Sequence, residues 1–292
     1  MRFTFGLFDQ EAVLERNSMK NENEIVNRTI NFASKPSAWV VCLALISLAQ
    51  FTSTSTVTAD EKTVFPEHDI RKMITPLEDL EATVKISKVD SVELEKIGAD
   101  LKASYAVRKL SFQYKTPDKL RLEGHSATRG SATMIMNGAM RYYEVSLLKM
   151  KKTENLETKS GKRQSLLEYV GLISPGTLKF MQATYLKDDA IDGTSAEVYE
   201  LKYLNEEKGS FYRVWIDPKQ KSVLKREWFD GAGKLRAAFK YNDAKESAPG
   251  IWLPTQVEVS NGEGKSAAVL TLSNIKVNQG LTDEPFQIAI VK

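Results

Sequence analysis

The residue types that do acid–base or nucleophilic chemistry are scarce in this sequence: two histidines, His68 and His125, and one cysteine, Cys42. Neither histidine has a partner at motif spacing. His68 stands in a lead-in segment and His125 at a strand end, so both read as surface residues. There is no Gly-x-Ser-x-Gly elbow, no His-Glu-x-x-His pair and no glycine-rich phosphate loop. Asp188-Asp-Ala-Ile-Asp-Gly193 opens like a calcium loop, but it has Ala190 at the third position and Tyr199 where a closing glutamate belongs. A charged hairpin turn accounts for it. Glu206 and Glu207 are adjacent in a loop, which does not set carboxylates across a substrate. The cluster Lys149-Met-Lys-Lys152 suits a solvated loop, an anionic lipid or a partner protein. These features lead us to expect a protein that is not an enzyme and needs neither metal nor cofactor.

What the sequence does supply is greasy strand faces. Leu80-Glu-Ala-Thr-Val-Lys-Ile86, Glu197-Val-Tyr-Glu-Leu-Lys-Tyr203 and Lys234-Leu-Arg-Ala-Ala-Phe-Lys-Tyr241 alternate apolar and polar residues, the pattern of antiparallel strands with one wet face. Asn137-Gly138, Asp192-Gly193, Asp217-Pro218, Asp230-Gly231 and Asn261-Gly262 punctuate them as turns. Leu101–Tyr114 reads as one long strand whose phase changes near Arg108-Lys109, as at a β-bulge. Lys149–Lys162 has charge without periodicity and reads as a loop. Ser165–Gly171 and Gly176–Gln182 read as short helices. The expected fold is mainly β: about ten or eleven antiparallel strands in a sheet large enough to curl, with a helical lid over about residues 162–182. The lid's Leu166, Leu167, Tyr169 and Val170 must be buried against the sheet.

Strand parity places Leu120, Leu122, Met134, Met136, Tyr143, Val145, Tyr199, Leu201, Val214, Ile216, Leu224, Trp228, Leu235, Phe239, Leu253 and Val257 on the inner face. There they serve equally as core or as the lining of a hydrophobic cavity; the methionines suit variable contents. Trp215 and Trp252 fall on the opposite parity. Arg226 shares the parity of Leu224 and Trp228, so it either points inward, toward a lid carbonyl or a ligand head group, or forms an edge salt bridge.

The apolar run Ala38–Phe51 follows Lys35 and is shorter than the ~20 residues that span a bilayer. Val57-Thr58-Ala59 suits signal-peptidase cleavage after Ala59. A cleaved secretory signal is expected, with an uncleaved anchor as the alternative and Met19 as a second possible start. Cleavage would remove Cys42, together with five basic and five acidic residues, so the net charge stays near +3. Residues 60–292 then form a single domain without a thiol. Their charge is mixed along the chain, which argues against a nucleic-acid surface.

Several segments in order resemble the outer-membrane lipoprotein-sorting (LolA-like) family: Phe112-Gln-Tyr-Lys-Thr-Pro-Asp-Lys-Leu-Arg-Leu122, Tyr212-Arg-Val-Trp-Ile-Asp-Pro218, Val223-Leu-Lys-Arg-Glu-Trp-Phe-Asp-Gly-Ala-Gly-Lys234, Gly250-Ile-Trp-Leu-Pro254, Thr271-Leu-Ser-Asn-Ile-Lys-Val-Asn278, and Pro285-Phe286. The sequence departs from that family in its lysine cluster and its long charged loop, as a divergent member would. The resemblance implies an incomplete, half-open β-barrel with helices over a hydrophobic cavity. It implies a monomeric periplasmic carrier that shields the acyl chains of lipoproteins or other lipids, with inner-membrane release machinery and an outer-membrane acceptor as partners. The same family includes envelope-stress sensors, so a protein-interaction module is the alternative.

Overall fold

Period-two alternation folds here into thirteen strands of one antiparallel sheet, accompanied by a separate two-stranded hairpin. The computed structural model describes residues 68–126, 130–158, 166–204 and 209–288, all within one unit. The apolar run Ala38–Phe51, the expected cleavage point after Ala59, Glu206-Glu207 and residues 162–165 of the lid lie outside the described residues.

The strands are β1 Asp79–Val89, β2 Lys109–Lys115, β3 Lys119–Ser126, β4 Gly130–Asn137, β5 Met140–Val145, β6 Met150–Asn155, β7 Met181–Ile191, β8 Thr194–Tyr203, β9 Phe211–Ile216, β10 Val223–Phe229, β11 Leu235–Asn242, β12 Lys245–Ala248, β13 Ile251–Leu253, β14 Gln256–Asn261 and β15 Ser266–Val277. Their order across the sheet is β6-β5-β4-β3-β2-β1-β15-β14-β11-β10-β9-β8-β7, with β12 paired to β13. Two meanders are thus joined through the β1–β15 pair. The edges, β6 and β7, are consecutive in the chain, and Leu167, Tyr169, Val170, Leu172 and Ile173 between them pack into the sheet's main apolar cluster. The sheet is not closed into a barrel.

The strand count exceeds the ten or eleven expected. β6, Met-Lys-Lys-Thr-Glu-Asn, has no apolar alternation, yet it pairs along its length with β5 from Met140↔Asn155 to Val145↔Met150. An edge strand needs only backbone pairing, and charges along it discourage further strands from adding.

The Leu101–Tyr114 strand is also corrected. Only Lys109–Lys115 is extended. Before it come two short helices, α1 Ser91–Ile97 and α2 Ala99–Ser104. Asp90 caps α1 by accepting from the N–H groups of Val92 (2.9 Å) and Glu93 (3.1 Å). The phase change near Arg108-Lys109 therefore marks the junction between helices and strand. One apolar cluster gathers Leu80, Val84, Phe112, Val214, Ile216, Val257 and Leu270 from the sheet, Leu94 and Ile97 from α1, and Leu167 and Val170 from the lid. On the convex face Phe286 is fully buried against Ile135 and Tyr142. The tail carrying it is clamped by the Asp79 carboxylate, which accepts from the N–H groups of Gln279, Gly280 and Leu281 at 2.9–3.0 Å.

Candidate functional site: a lidded hollow in the concave face

The inner-face residues come together largely as their parity requires. Leu120, Leu122, Tyr199, Leu201, Val214, Ile216, Phe239, Leu253 and Val257 are buried in the main apolar cluster, and Met134, Met136 and Trp228 pack against it half-buried. Tyr143 and Val145 are buried but stand apart from that cluster, toward the β6 edge, where Lys152 lies 5.9 Å from the Tyr143 ring.

Two residues are placed differently, each by a one-residue irregularity. Between β9 and β10, Val223 pairs with Ile216 and Lys225 with Trp215, which leaves Leu224 as an extra residue. The bulge turns Val223 inward and sends Leu224 to the outer cluster of Ala196, Val198 and Trp215. Between β10 and β11, Trp228 pairs with Ala237 but Phe229 pairs with Leu235. Directly opposed residues share a face, and the Phe229 ring stacks on Phe211 at 4.8 Å beneath Arg213 on the convex side. Leu235 accordingly belongs outside the hollow. Trp215 is on the outer face, where its indole N–H donates to Asp189 at 3.1 Å and Lys225 lies 4.5 Å above its ring.

The lid consists of a 3-10 turn over Leu166–Tyr169 and a short helix, α3 Pro175–Leu178. Leu167, Tyr169, Val170, Leu172 and Ile173 are all buried in the main cluster; of Leu166 only the backbone is described. Ser174 caps α3, with proline at the first helical position where its missing N–H costs nothing. Ser174 Oγ also donates to the Pro117 carbonyl in the β2–β3 turn, and the Gly176 N–H donates to the same carbonyl at 3.1 Å. A Cβ at Gly176 would lie 2.5 Å from Asp118 Cβ and 2.7 Å from the Pro117 carbonyl oxygen, so this approach admits only glycine. Gly171, at φ +67, turns the chain against Tyr241 and Pro254. Tyr169 donates to Ser104 Oγ at 3.3 Å, linking the lid to the end of α2.

Arg226 does what its parity permits. It is only 5 % exposed, and its Nη2 donates to the Leu172 carbonyl of the lid at 2.8 Å. Its guanidinium also lies 5.7 Å from the Tyr212 ring centroid. The cation thus reaches from the sheet, through an apolar layer, to the backbone of its cover.

Two small cavities lie under the lid. One, of ≈ 30 Å³, is bounded by Tyr114, Leu120, Met136, Leu167, Thr177 and Phe180. The other, of ≈ 20 Å³, is bounded by Ile173, Met181, Leu201, Tyr203, Tyr212 and Arg226. Each has about the room of one water molecule, far below the roughly 300–1,000 Å³ of a ligand pocket. Neither of these two cavities has room for a chain-like ligand while the described lid residues stay in place.

Burial pushes the phenols of Tyr114 and Tyr199 up, and the Glu197 carboxylate that Tyr199 donates to adds to its rise. Such a surface offers apolar contact and hydroxyl donors to whatever displaces the lid. His68 stacks on Tyr185 at 3.8 Å and lies 3.2 Å from Glu197, while His125 is exposed at the end of β3. The Asp188–Gly193 segment is the end of strand β7, paired with β8 from Asp188↔Glu197 to Ile191↔Thr194, followed by the two-residue turn Asp192-Gly193. Among the described residues no three His, Cys, Asp or Glu side chains converge as metal ligands, and no helix is long and apolar enough to cross a membrane.

Sequence reading missed Leu94, Ile97 and Tyr105, which fill one end of the concave face. The Asp90-x-x-Glu93 spacing was their available signal.

A family model described as "Uncharacterized protein" matches residues 129–291. A search of curated proteins gives no match. Among solved structures, the chain is similar to a LolA superfamily protein from Nitrosomonas europaea, with 15% identity, a TM-score of 0.50, and coverage of 75% of this chain and 96% of that one. A putative outer membrane lipoprotein-sorting protein domain from Vibrio parahaemolyticus aligns at 14% identity and a TM-score of 0.48, covering 74% and 92%. A DUF1329 family protein from Desulfovibrio piger aligns at 14% identity and a TM-score of 0.43, covering 75% and 92%.

Proposed function

We propose, for a chain that belongs to the family whose model matches residues 129–291 and that has the LolA-like open β-fold, a role as a carrier that shields acyl chains in its concave face. The cargo would be an acylated lipoprotein or another lipid in transit across the bacterial periplasm. The carrying observation is a continuous apolar face under a lid that is tied through its Leu172 carbonyl to Arg226, the one buried cation among the described residues.

The energetics are those of burial. About ten methylenes taken out of water are worth roughly 8 kcal/mol before costs, which corresponds to about micromolar affinity. Opening exchanges lid side chains for cargo, so Leu167, Tyr169, Val170, Leu172 and Ile173 occupy in the closed state the place an acyl chain would take. Cargo and lid then compete for one surface, and binding shifts a two-state equilibrium between closed and open forms. No catalytic group takes part.

The test is native mass spectrometry of the folded protein recovered from the cell envelope. An acyl lipid or an acylated protein retained by the wild type, and lost on Leu167→Asp, supports the carrier. A bare chain that also fails to take up a fluorescent fatty acid contradicts it. A stoichiometric protein partner without lipid would point to the interaction module instead.

A further inference from the structure

We propose that one rim of the sheet is a docking surface for an anionic membrane. The register defines this rim. Met181 pairs with Tyr203, Lys202 with Phe211, Phe211 with Phe229, Ala268 with Val89, Lys85 with Lys109, Ser126 with Gly130, and Val145 with Met150. One end of every strand in these pairs therefore lies on the same side.

Five large apolar residues are exposed among those described. Four of them, Val92 (65%), Leu147 (62%), Leu148 (48%) and Leu204 (43%), sit at this rim, and the fifth, Leu186, lies within β7. The opposite rim has none among the described residues. Leu147 and Leu148 form a short 3-10 turn over Ser146–Leu148, closed by Lys149 in the left-handed region at φ 49. Ser146 Oγ accepts from the Ser131 N–H at 2.9 Å and ties this turn to β4, so the leucines are presented rather than folded back. They stand beside the start of edge strand β6. Leu204 stands beside the start of the other edge, its N–H bonded to the Phe180 carbonyl at 2.8 Å. The apolar points thus flank the open side of the sheet.

Charge selects the occupant. Lys88, Arg108, Lys109, Lys149, Lys179 and Lys234 are exposed at this rim, and none is in an ion pair among the described residues. The rim's acids in ion pairs or on backbone among the described residues are Glu144 with Lys151, Glu93 and Glu263 with Lys96, Glu95 with Lys102 and Glu200 with Lys202, while Asp90 and Asp230 accept from backbone N–H groups. Uncompensated cations around exposed leucines match the head-group and acyl boundary of an anionic bilayer. The inference stands on this surface alone and does not need the hollow to carry cargo.

The test is sedimentation of the full chain with vesicles of phosphatidylcholine alone or mixed with phosphatidylglycerol. Any binding by the apolar run 38–51 is common to all variants. The wild type is expected to favour the anionic vesicles, with the preference weakened by salt. L147D/L148D should lower binding by at least about tenfold, since returning two leucines to water outweighs one factor of ten. K109E/K149E should lower binding to the anionic vesicles only. Unchanged melting temperatures would show that both variants fold. Equal binding of wild type and L147D/L148D, or no preference for anionic vesicles, overturns the proposal. So does a change in oligomeric state on L147D/L148D without a change in vesicle binding, which would make the patch a contact with a second copy.

Discussion

Two helical segments cover the concave face, and they are attached differently. The α1–α2 pair is riveted to strand ends across the middle of the sheet. Arg236 donates to the Ile97 carbonyl at 2.6 Å, Lys96 bridges Glu93 and Glu263 at 3.1 Å, and Asn261 donates to Glu93. Leu94 and Ile97 are fully buried beneath it. The lid over 166–178 buries Leu167, Tyr169, Val170, Leu172 and Ile173, and its polar ties among the described residues run from Arg226 to Leu172, from Ser174 and Gly176 to one carbonyl of the β2–β3 turn, and from Tyr169 to Ser104. Both described cavities lie under it. Apolar burial makes both covers fit; α1–α2 adds an ion pair to the sheet, whereas the ties of the lid among the described residues are hydrogen bonds, and the carrier reading takes the lid as the cover that lifts.

Four perturbations sharpen or break this contrast. The largest effect is expected from Leu94→Ala, which should cost about 2–5 kcal/mol of global stability and lower the melting temperature of the whole sheet. Leu167→Ala removes the same atoms from the lid, but it should move the global melt less and chiefly raise local exchange at 166–178. Equal losses of melting temperature would erase the distinction.

Next comes Arg226→Met. Losing a hydrogen bond from a buried charge should weaken lid closure by about 1.5–3 kcal/mol, seen as faster hydrogen exchange at 169–174 and faster uptake of a fluorescent fatty acid. Exchange at 91–104 should not change; if it does, the two covers are one cooperative unit.

Asp90→Ala comes third, at about 1 kcal/mol for a lost helix cap, and is confined to α1. A denaturant titration should show the loss without any change in fatty-acid uptake.

The smallest effect is one of pH, at the far side of the molecule. Lys115 and Lys119 hold the exposed Asp283 carboxyl down at about 2. A carboxyl depressed on folding contributes stability above its unfolded value of roughly 3.9, and loses it as pH falls toward 2. The tail bearing Phe286 should therefore loosen in that window in the wild type, and Asp283→Asn should abolish the dependence, as read from exchange at 281–288. An unchanged acid profile in that variant would remove the role assigned to the pair.

Much of the sheet was legible because alternation reports which face each residue takes. Leu120, Leu201, Val214 and Phe239 fell where parity put them, while parity left Arg226 open between an inward position and an edge salt bridge, and the structure has it inward on the Leu172 carbonyl. Parity failed at Leu224 and Leu235, where single-residue shifts against β9 and β10 reverse the face. Such a shift is a property of two strands, and neither sequence alone contains it. β6 escaped because an edge strand held by backbone bonds needs no apolar pattern. α1 escaped because a seven-residue helix buries only Leu94 and Ile97, too few to show a period, even though its cap was written in Asp90 and Glu93. That Leu167, Tyr169 and Val170 would be buried was readable from their apolar run. The lid's docking was not, because that depends on the Pro117 carbonyl and on the space Gly176 leaves beside it.

The most direct measurement is hydrogen exchange along the chain, with and without a fatty-acyl lipid. In the empty protein the amides of 166–178 should exchange well before those of 91–104. Lipid should alter the lid's exchange while leaving the α1–α2 pair unmoved. If both segments exchange together and lipid changes neither, the hollow is a sealed core and the carrier reading is contradicted.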